Sequence, residues 1–354
     1  MKISKQLFQQ RMKKPANWSS ISTKDAIEIT GFVEFLDAGF PYFSPIGQRI
    51  KTSLEKLLSD TCERKGFNRV QLPSLHRKEF VERSGKYAQF KDEFVDVAED
   101  YVLTSTSEEY FLELAKKGLE SYIQLPVRLF EIGNAIRFIQ RPRGILKLRE
   151  FSGAVLNTFE EDDQGYDISL LFFKKIIQDI LGRLRIPFKA ETKNEGIEYF
   201  YNPKNIDLGE PVSLAMGYKY KSSPQEVANF RLKRNELSPV IMGTFGIGLE
   251  RLFYALCDSC RDNAGFNFPD IMCPYERAVV LVSSRDSLQM RMGEDIYNSE
   301  REKNIKIYLE DRNSITLKEK LDYADFLGVK EKILIGPKEV KQGKPTIKIR
   351  KSKQ

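Results

Sequence analysis

The chain has 354 residues, of which 41% are hydrophobic and 30% charged, and its formal net charge is +7. This length suggests two or three domains with a sizeable core, and the charge favours a polyanionic partner, although a lysine-rich solubilising surface explains it equally well. Because the sequence has no apolar run of membrane-spanning length and its basic N-terminus lacks an apolar centre, we predict a cytoplasmic protein without a membrane span or secretory signal.

The cysteines favour free thiols over a metal site. Cys257 and Cys260 form a C-x-x-C pair, with Cys273 beyond, and the only histidine, His76, is far away in the sequence. A structural metal site usually takes four ligands. We therefore predict no metal site and reduced thiols, with zinc or redox chemistry as the weaker alternative.

The first half of the chain predicts a long helix and a strand-to-helix turn. Apolar residues recur at helical spacing over residues 46–66, and a short strand that Pro73 ends follows. Residues 101–104 predict a strand, and a periodic run that follows Glu108 predicts a helix. The serine and threonine side chains just before this helix lie in range to cap it.

The middle of the chain predicts a basic hairpin and two further helices. Residues 127–138 and 150–159 predict strands that flank a basic loop, and residues 166–183 repeat apolar side chains at helical spacing. Residues 240–247 form an apolar, glycine-punctuated strand that continues directly into an amphipathic helix.

Residues 261–275 mark a domain boundary, because prolines and asparagines replace the apolar pattern there. The remaining residues, 276–354, alternate strand and helix. This βαβαβ pattern predicts a small α/β domain with a mixed sheet.

The hairpin at residues 131–151 suits a nucleotide. Its cations match phosphate groups, and an aromatic ring at its exit can stack on a base. The residues in question are Arg137, Arg141, Arg143, Lys147, Arg149 and Phe151.

Arg137, Arg149 and Arg251 could together clamp a triphosphate and offset charge that develops at the α-phosphorus during nucleotidyl transfer. Such a reaction needs positioning, cations and usually Mg²⁺ rather than an acid–base pair. Gly246 and Gly248 would let a nucleotide lie against bare backbone, or would simply let the following helix pack on the strand.

Thr106 and Glu108 lie at the strand-to-helix turn that precedes the second helix. A carboxylate there could receive an amino-acid ammonium group. Helix capping is the simpler explanation when these two residues are taken without other context.

Several segments, in order, resemble the motifs of a class II aminoacyl-tRNA synthetase, most closely prolyl-tRNA synthetase and next glycyl-tRNA synthetase. They cover roughly residues 35–350 and are AGFPYFSPIGQRI, YVLTSTSEEYFLEL, LPVRLFEIGNAIR with RPRGILKLREF, PVIMGTFGIGLERL with RDNAGFNFPDIMCPYERAVVLV, and IYLEDRNSITLKEKLDYADFLGVKEKILIG.

The resemblance implies an α+β fold with three parts. These are an N-terminal extension at residues 1–30, an antiparallel sheet flanked by helices at residues 31–270 as the catalytic domain, and an α/β anticodon-binding domain at residues 276–354. It also implies a homodimer, with the first long helix at the interface.

The resemblance assigns roles residue by residue. Arg137 would contact the α-phosphate and the amino-acid carboxylate, Arg251 the γ-phosphate side of ATP, and Arg149 and Lys147 other phosphate oxygens. Phe151 would stack on adenine, with Gly246 and Gly248 beneath the nucleotide. Thr106, Glu108 and Thr244 would line the amino-acid pocket, and Glu310, Asp311 and Arg312 would lie near the anticodon bases of a tRNA.

The chain also departs from the family pattern. Ile139 stands where an acidic residue usually helps to orient adenine, and Thr244 stands where bacterial prolyl enzymes have a cysteine. Residues 207–220 lack the histidine and glutamine of the corresponding stretch. About 90 residues separate the second and third motifs, so there is no room for a large editing insertion.

Two hypotheses follow. The first is a ligase that uses ATP and Mg²⁺ to activate an amino acid, with proline as the first choice, and transfers it to tRNA. The second is a synthetase paralogue that charges another carrier, or that serves as a non-catalytic tRNA-binding, regulatory or accessory subunit. Arg137, Glu108 and Phe151 favour the first, and Ile139 favours the second.

Overall fold

The computed structural model describes residues 1–6, 13–193, 196–204, 210–221, 228–232 and 236–350. Within these ranges the helices are α1 (Thr23–Ile29), α2 (Pro45–Arg64), α3 (Lys78–Arg83), α4 (Lys86–Gln89), α5 (Glu108–Gly118), α6 (Asp163–Leu184), α7 (Leu249–Ser259), α8 (Ser287–Glu302), α9 (Leu317–Phe326) and α10 (Pro337–Gln342).

The strands are β1 (Val33–Asp37), β2 (Phe40–Phe43), β3 (Asn68–Arg69), β4 (Leu75–Arg77), β5 (Asp96–Ala98), β6 (Tyr101–Leu103), β7 (Val127–Ile136), β8 (Glu150–Glu160), β9 (Lys189–Lys193), β10 (Gly196–Tyr201), β11 (Val212–Lys219), β12 (Asn229–Arg231), β13 (Leu237–Pro239), β14 (Ile241–Gly248), β15 (Arg277–Leu281), β16 (Ile307–Glu310), β17 (Glu331–Ile335) and β18 (Thr346–Ile349).

A seven-stranded sheet forms the centre of the first 260 residues. Its order is β3-β7-β8-β14-β11-β10-β9, and its strands are antiparallel except for the parallel pair at β3 and β7. The helices α2, α6 and α7 pack on it, and a stacked ring pair, Phe173 of α6 with Phe245 of β14, lies between helix and sheet. The predicted antiparallel sheet flanked by helices is confirmed.

Helix α2 turns its apolar stripe toward the core of its own chain. Ser44 caps its first turn by accepting from the amide of Gly47, and Ile46, Ile50 and Leu54 are each at most 1% exposed. The predicted helix is therefore present. The apolar stripe that could have formed a dimer interface instead packs against the core of its own chain, so the homodimer stays a prediction.

The N-terminal residues belong to the same core. Ile3, Trp18 and Ile27 are nearly or fully buried, and the amide of Leu309 donates to the carbonyl of Met1. Arg261 stacks on the Trp18 ring at 4.2 Å. In the described ranges, the segment predicted as an N-terminal extension thus packs against both halves of the chain.

Residues 277–350 form a second, smaller sheet with the order β16-β15-β17-β18. Its first three strands are parallel, and β18 pairs antiparallel to β17 at the edge. Parallel neighbours need helical crossovers, which α8 and α9 supply. The predicted α/β unit with a mixed sheet is confirmed.

The segment between the two sheets is packed rather than loose. Phe266 and Tyr275 are fully buried, and the Trp18 indole donates to the carbonyl of Asp262 at 2.6 Å. Arg350 binds both carboxylate oxygens of Asp262, at 2.9 and 2.8 Å. We propose that the domain boundary lies here, as an interface with shared core rather than an exposed linker.

No helix in the described ranges is long and apolar enough to cross a membrane.

Candidate active site

The register of the central sheet gathers most of the predicted site residues on one face. Directly paired residues of neighbouring strands share a face, and side chains alternate along each strand. Gly246 pairs with Val155 and Met216, and Gly248 pairs with Gly153. Stepping by two along each strand, the residues of this face include Phe151, Val155 and Asn157 of β8, Thr244, Gly246 and Gly248 of β14, Met216 and Tyr218 of β11, and Glu198 of β10.

The surface above Gly246 is open. A Cβ atom built at Gly246 would meet no atom within 4 Å, whereas one at Gly248 would touch the Arg251 side chain at 3.5 Å. Packing of the helix on the strand therefore does not require Gly246 to be a glycine. A bare stretch of backbone in the middle of this face is suited to a flat ligand such as a nucleotide.

Arg137 follows directly after β7 and is held above the sheet. Its amide donates to the carbonyl of Arg149 at 2.8 Å, which closes the base of the hairpin loop. Its Nε donates to the carbonyl of Ser105 at 3.0 Å, and its guanidinium lies 5.3 Å from the centre of the Phe151 ring. A cation and a half-buried aromatic ring are thus brought together at the same end of the sheet face.

The loop between β7 and β8 docks on the β1–β2 hairpin. The amide of Arg149 donates to Gly39 at 2.9 Å, its Nη1 donates to Ala38 at 3.3 Å, and its guanidinium lies 4.8 Å from the Phe138 ring. Gly39 has a φ of +86°, and a Cβ there would lie 2.9 Å from the Arg149 Cγ. Lys147 of the same loop is exposed.

Ile139 is buried, with 8% of its surface exposed, and its carbonyl accepts from the Nε of Arg149 at 3.2 Å. An apolar side chain therefore anchors this part of the loop, at the position where the resemblance expects an acidic one. The backbone carbonyl of Ile139, and not the Ile139 side chain, orients the Arg149 side chain.

Arg251 lies in the first turn of α7, as predicted. Its neighbour Glu250 fixes this turn: a Glu250 carboxylate oxygen lies 2.9 Å from the Lys51 Nζ, and the other accepts from the Ser152 amide at 2.9 Å. The Nη1 of Arg251 donates to the Ser213 carbonyl at 3.0 Å. Desolvation and then the like charge of Arg137 lower the pKa of Arg251, against the opposing effect of Glu198.

Glu108 begins α5 and lies in a buried polar cluster rather than at a plain helix cap. Ser107, the N-cap residue, makes no side-chain capping bond to the helix, contrary to the capping explanation. The Glu108 carboxylate accepts from the Tyr218 hydroxyl at 3.0 Å and lies 3.2 Å from the Lys86 ammonium. Thr106 is half-buried beside it, and its carbonyl accepts from Thr104 at 3.1 Å.

Thr244 is buried at the floor of the same face, with 2% of its surface exposed. Its hydroxyl donates to the Asn157 Oδ1 at 2.8 Å. The Nδ2 of Asn157 has no hydrogen-bond partner although Asn157 is fully buried. An unpaired buried donor is costly unless a ligand or water completes it, so this atom indicates where a polar group would bind.

The residues predicted near the anticodon lie in the second sheet, far along the chain from this face. Glu310 and Arg312 are buried and bind each other at 2.8 and 2.6 Å. Asp311 accepts from the Ser4 amide at 2.8 Å. Glu310 and Arg312 thus form a buried ion pair with each other, and their contact with tRNA stays a prediction.

Several residues of the face carry no signal in the sequence that marks them as part of a site. Tyr218 lies in the stretch 207–220, of which residues 207–209 are outside the described part of the chain. Asn157 and Glu198 lie inside strands. Only the strand register shows which face of the sheet their side chains occupy. Lys86 lies in a four-residue helix, which is too short to show apolar periodicity.

Comparison with known proteins agrees with this geometry. Residues 277–354 match the anticodon binding domain family. The proline–tRNA ligase of Sulfurimonas denitrificans is 24% identical to this chain, over 92% of this chain and 89% of that protein. Over nearly its whole length, the chain is similar to proline–tRNA ligases. The resemblance to prolyl-tRNA synthetases that the sequence motifs indicated is confirmed.

Solved structures show the same fold. The prolyl-tRNA synthetase of Giardia lamblia, in complex with prolyl-adenylate, has a TM-score of 0.78 at 16% identity and covers 93% of this chain and 72% of its own. That of Cryptosporidium parvum, complexed with L-proline and AMP, has a TM-score of 0.78 at 15% identity and covers 96% and 73%. The predicted class II fold with a C-terminal anticodon-binding domain is confirmed.

Proposed function

We propose that this chain is a ligase that activates proline with ATP to prolyl-adenylate and then transfers the prolyl group to tRNA. The observation that carries the proposal is the single sheet face that holds Phe151, the bare Gly246 and Tyr218, with Arg137 and Glu108 at its margins. Its relatives along nearly the whole length are proline–tRNA ligases.

The first step is an in-line displacement at phosphorus. A carboxylate oxygen of proline forms a bond to the α-phosphorus of ATP, and the bond from that phosphorus to the oxygen of pyrophosphate breaks. Charge accumulates on the α-phosphate oxygens, where Arg137 would offset it, and Arg251 would bind the far end of the triphosphate. Because the attacking carboxylate is already ionised and pyrophosphate leaves as an anion, the step needs no general base.

The adenine would stack on Phe151, while Arg149 and Lys147 bind phosphate oxygens and Gly246 lies beneath the nucleotide. Mg²⁺ accompanies ATP and neutralises its phosphates when bound. By strand register Glu198 of β10 lies on the same face as Gly246, and its carboxylate is the group that we propose for a protein contact to the ion.

The amino acid would bind at the Glu108 end of the face. The secondary ammonium of proline has two N–H donors, which suit the Glu108 carboxylate and the Thr106 hydroxyl. Thr244 and the unpaired Nδ2 of Asn157 would line the floor beneath the ring and carboxylate. We propose Glu310, Asp311 and Arg312 as the part of the second sheet nearest the anticodon, and a homodimer as the active form.

Pyrophosphate exchange tests the proposal. Purified protein with Mg²⁺, ATP and labelled pyrophosphate is expected to form labelled ATP only when proline is added, and to charge tRNA in a second assay. Absence of exchange with all twenty amino acids would contradict the ligase function.

The alternative is a paralogue without this reaction, and Ile139 is the observation that favours it. Loss of one hydrogen bond to adenine costs about 1–3 kcal/mol, which slows activation without abolishing it. tRNA binding that weakens steeply with salt, without exchange or charging, would support the accessory role instead.

The substitution Glu108→Gln is expected to raise KM for proline about 10- to 100-fold, with little change in KM for ATP. It keeps the size of the side chain but removes the charge that would bind the ammonium group. Exchange kinetics at varied proline and ATP measure both constants. Glu113→Gln is the matched control, because Glu113 lies on the same helix and pairs instead with Arg83 at 2.7 Å. Equal effects of the two substitutions would contradict the assignment.

A further inference from the structure

Lys86 reaches from α4 into the carboxylate cluster at the start of α5. Its ammonium lies 2.9 Å from the Glu109 carboxylate and 3.2 Å from that of Glu108. The Glu109 side chain is 1% exposed, that of Glu108 10%, and that of Lys86 22%. The lysine therefore stands between two adjacent acids and is nearer to the deeper one.

The deeper acid has few other partners. Glu109 Oε1 accepts from the Tyr220 hydroxyl at 3.4 Å, and its Oε2 has no hydrogen-bond partner. Burial, opposed by Lys86 and assisted by Glu108, raises the pKa of Glu109. Burial also disfavours the charge of Glu108, but Lys86 and Tyr218 outweigh it and lower the pKa of that group.

Three other titratable groups lie around the pair: Tyr218, Glu131 and His76. Tyr218 donates to Glu108, and burial followed by the charge of Glu108 raises the pKa of this tyrosine. Glu131 of β7 is held by the Leu72 amide at 3.3 Å, and burial raises its pKa. His76 of β4 is uncharged at neutral pH, because burial lowers its pKa to about 4. Lys86 is the cation whose charge favours the ionised form of both Glu108 and Glu109.

We propose that Lys86 is a positioning residue of the amino-acid site: by pairing with Glu109, it prevents Glu108 from sharing a proton with its neighbour and keeps it a full carboxylate for the substrate ammonium. This inference rests on the proposed function, and it adds a residue that touches neither substrate nor ATP. The lysine acts through the charge state of Glu108.

The physical reason is the behaviour of paired carboxylates. Two acids side by side in a poorly solvated site cannot both ionise readily, so the pair retains one proton with a raised apparent pKa. A Glu108 that shares this proton is a weaker acceptor for an ammonium group. With Lys86 present, one of the two negative charges is balanced and the other is available to the amino acid.

The test is the pH dependence of KM for proline. In the unchanged protein, KM is expected to be flat between pH 6 and 8. In Lys86→Met it is expected to rise about tenfold for each pH unit below the new pKa of the pair, since binding then requires loss of a proton. The double variant Lys86→Met/Glu109→Gln removes the neighbour with which Glu108 would share the proton and is expected to restore the flat profile.

Two variants separate this effect from damage to the fold. Lys86→Arg keeps the charge and is expected to keep the flat profile. Lys78→Met is the matched control: Lys78 is similarly shielded, at 20% exposure, but pairs with Asp96 at 3.3 Å. A pH-dependent KM in Lys78→Met as well would overturn the assignment to Lys86.

Other outcomes would also overturn the proposal. A lower KM in Lys86→Met at every pH would show that the lysine merely occupies the place of the substrate ammonium. A double variant that is as pH-dependent as Lys86→Met would exclude proton sharing with Glu109.

A measurement without substrate distinguishes failure of this inference from failure of the proposed function. In protein labelled at glutamate carboxyl carbons, Lys86→Met is expected to gain a resonance that titrates well above the ordinary range of a glutamate, and the double variant is expected to lose it. If that resonance appears but the unchanged protein shows no exchange, the ligase function fails and the charge coupling stands. If it is missing, the inference fails whatever the activity.

Discussion

Arg137→Ala is expected to reduce proline-dependent pyrophosphate exchange by about 10³-fold, the largest loss that we expect from any one substitution in this chain. Its guanidinium is held by the Ser105 carbonyl at 3.0 Å and lies over the Phe151 ring, at the margin of the open face. Truncation removes the cation that would meet charge at the α-phosphate. The backbone bond from Arg137 to Arg149 remains, so the hairpin is retained.

Arg128→Ala is the matched control for this prediction. Arg128 belongs to the same strand, but its Nε donates to Ser169 at 3.4 Å and its guanidinium stacks on Phe172 at 4.6 Å, both in α6. Its loss is expected to change exchange less than twofold or so, in the range of surface substitutions. If Arg137→Ala retained activity close to that of Arg128→Ala, nucleotidyl transfer at this face would be contradicted.

Gly265→Ala is expected to lower the free energy of unfolding by about 4 kcal/mol, the largest effect on stability among our predictions. Gly265 has a φ of +152°, which side chains rarely adopt, and a Cβ there would lie 2.3 Å from the Cα and carbonyl oxygen of Phe326. Backbone atoms of α9 cannot move aside as the end of a flexible side chain can. Urea unfolding measures the change.

Gly343→Ala provides the comparison. Gly343 ends α10 with a φ of +63°, but a Cβ at this position would meet nothing within 4 Å. The substitution should cost about 1 kcal/mol through backbone strain alone. Equal losses at both glycines would mean that the close approach to Phe326 contributes nothing, and that the packed junction between the two sheets is weaker than its contacts suggest.

Long periodic elements could be predicted from the sequence with few errors. Helix α2 and helix α6 show apolar side chains at helical spacing, and their structures begin and end within three residues of the predicted limits. Local rules suffice there, because the amphipathic pattern and the capping residues are written in neighbouring positions. The same holds for the alternating strands and helices of the second sheet.

Short elements were missed where their stability comes from distant contacts. The β1–β2 hairpin is held by Arg149, more than a hundred residues away, and α4 by the pairing of Lys86 with Glu108 and Glu109. Such segments have too few residues to show a period. Their structure follows from the neighbours that the fold supplies.

For the candidate site, the sequence by itself determined which residue types are present: arginines beside an aromatic ring, a glycine-rich strand before a helix, and a hydroxyl–carboxylate turn. Only the tertiary structure decided which of them share a face, because antiparallel register assigns each strand residue to one side of the sheet. It also decided that Glu108 has Lys86 and Tyr218 as partners, and that Glu310 and Arg312 bind each other. The physical reason is that charge pairing depends on distance in space, which separation along the chain does not specify.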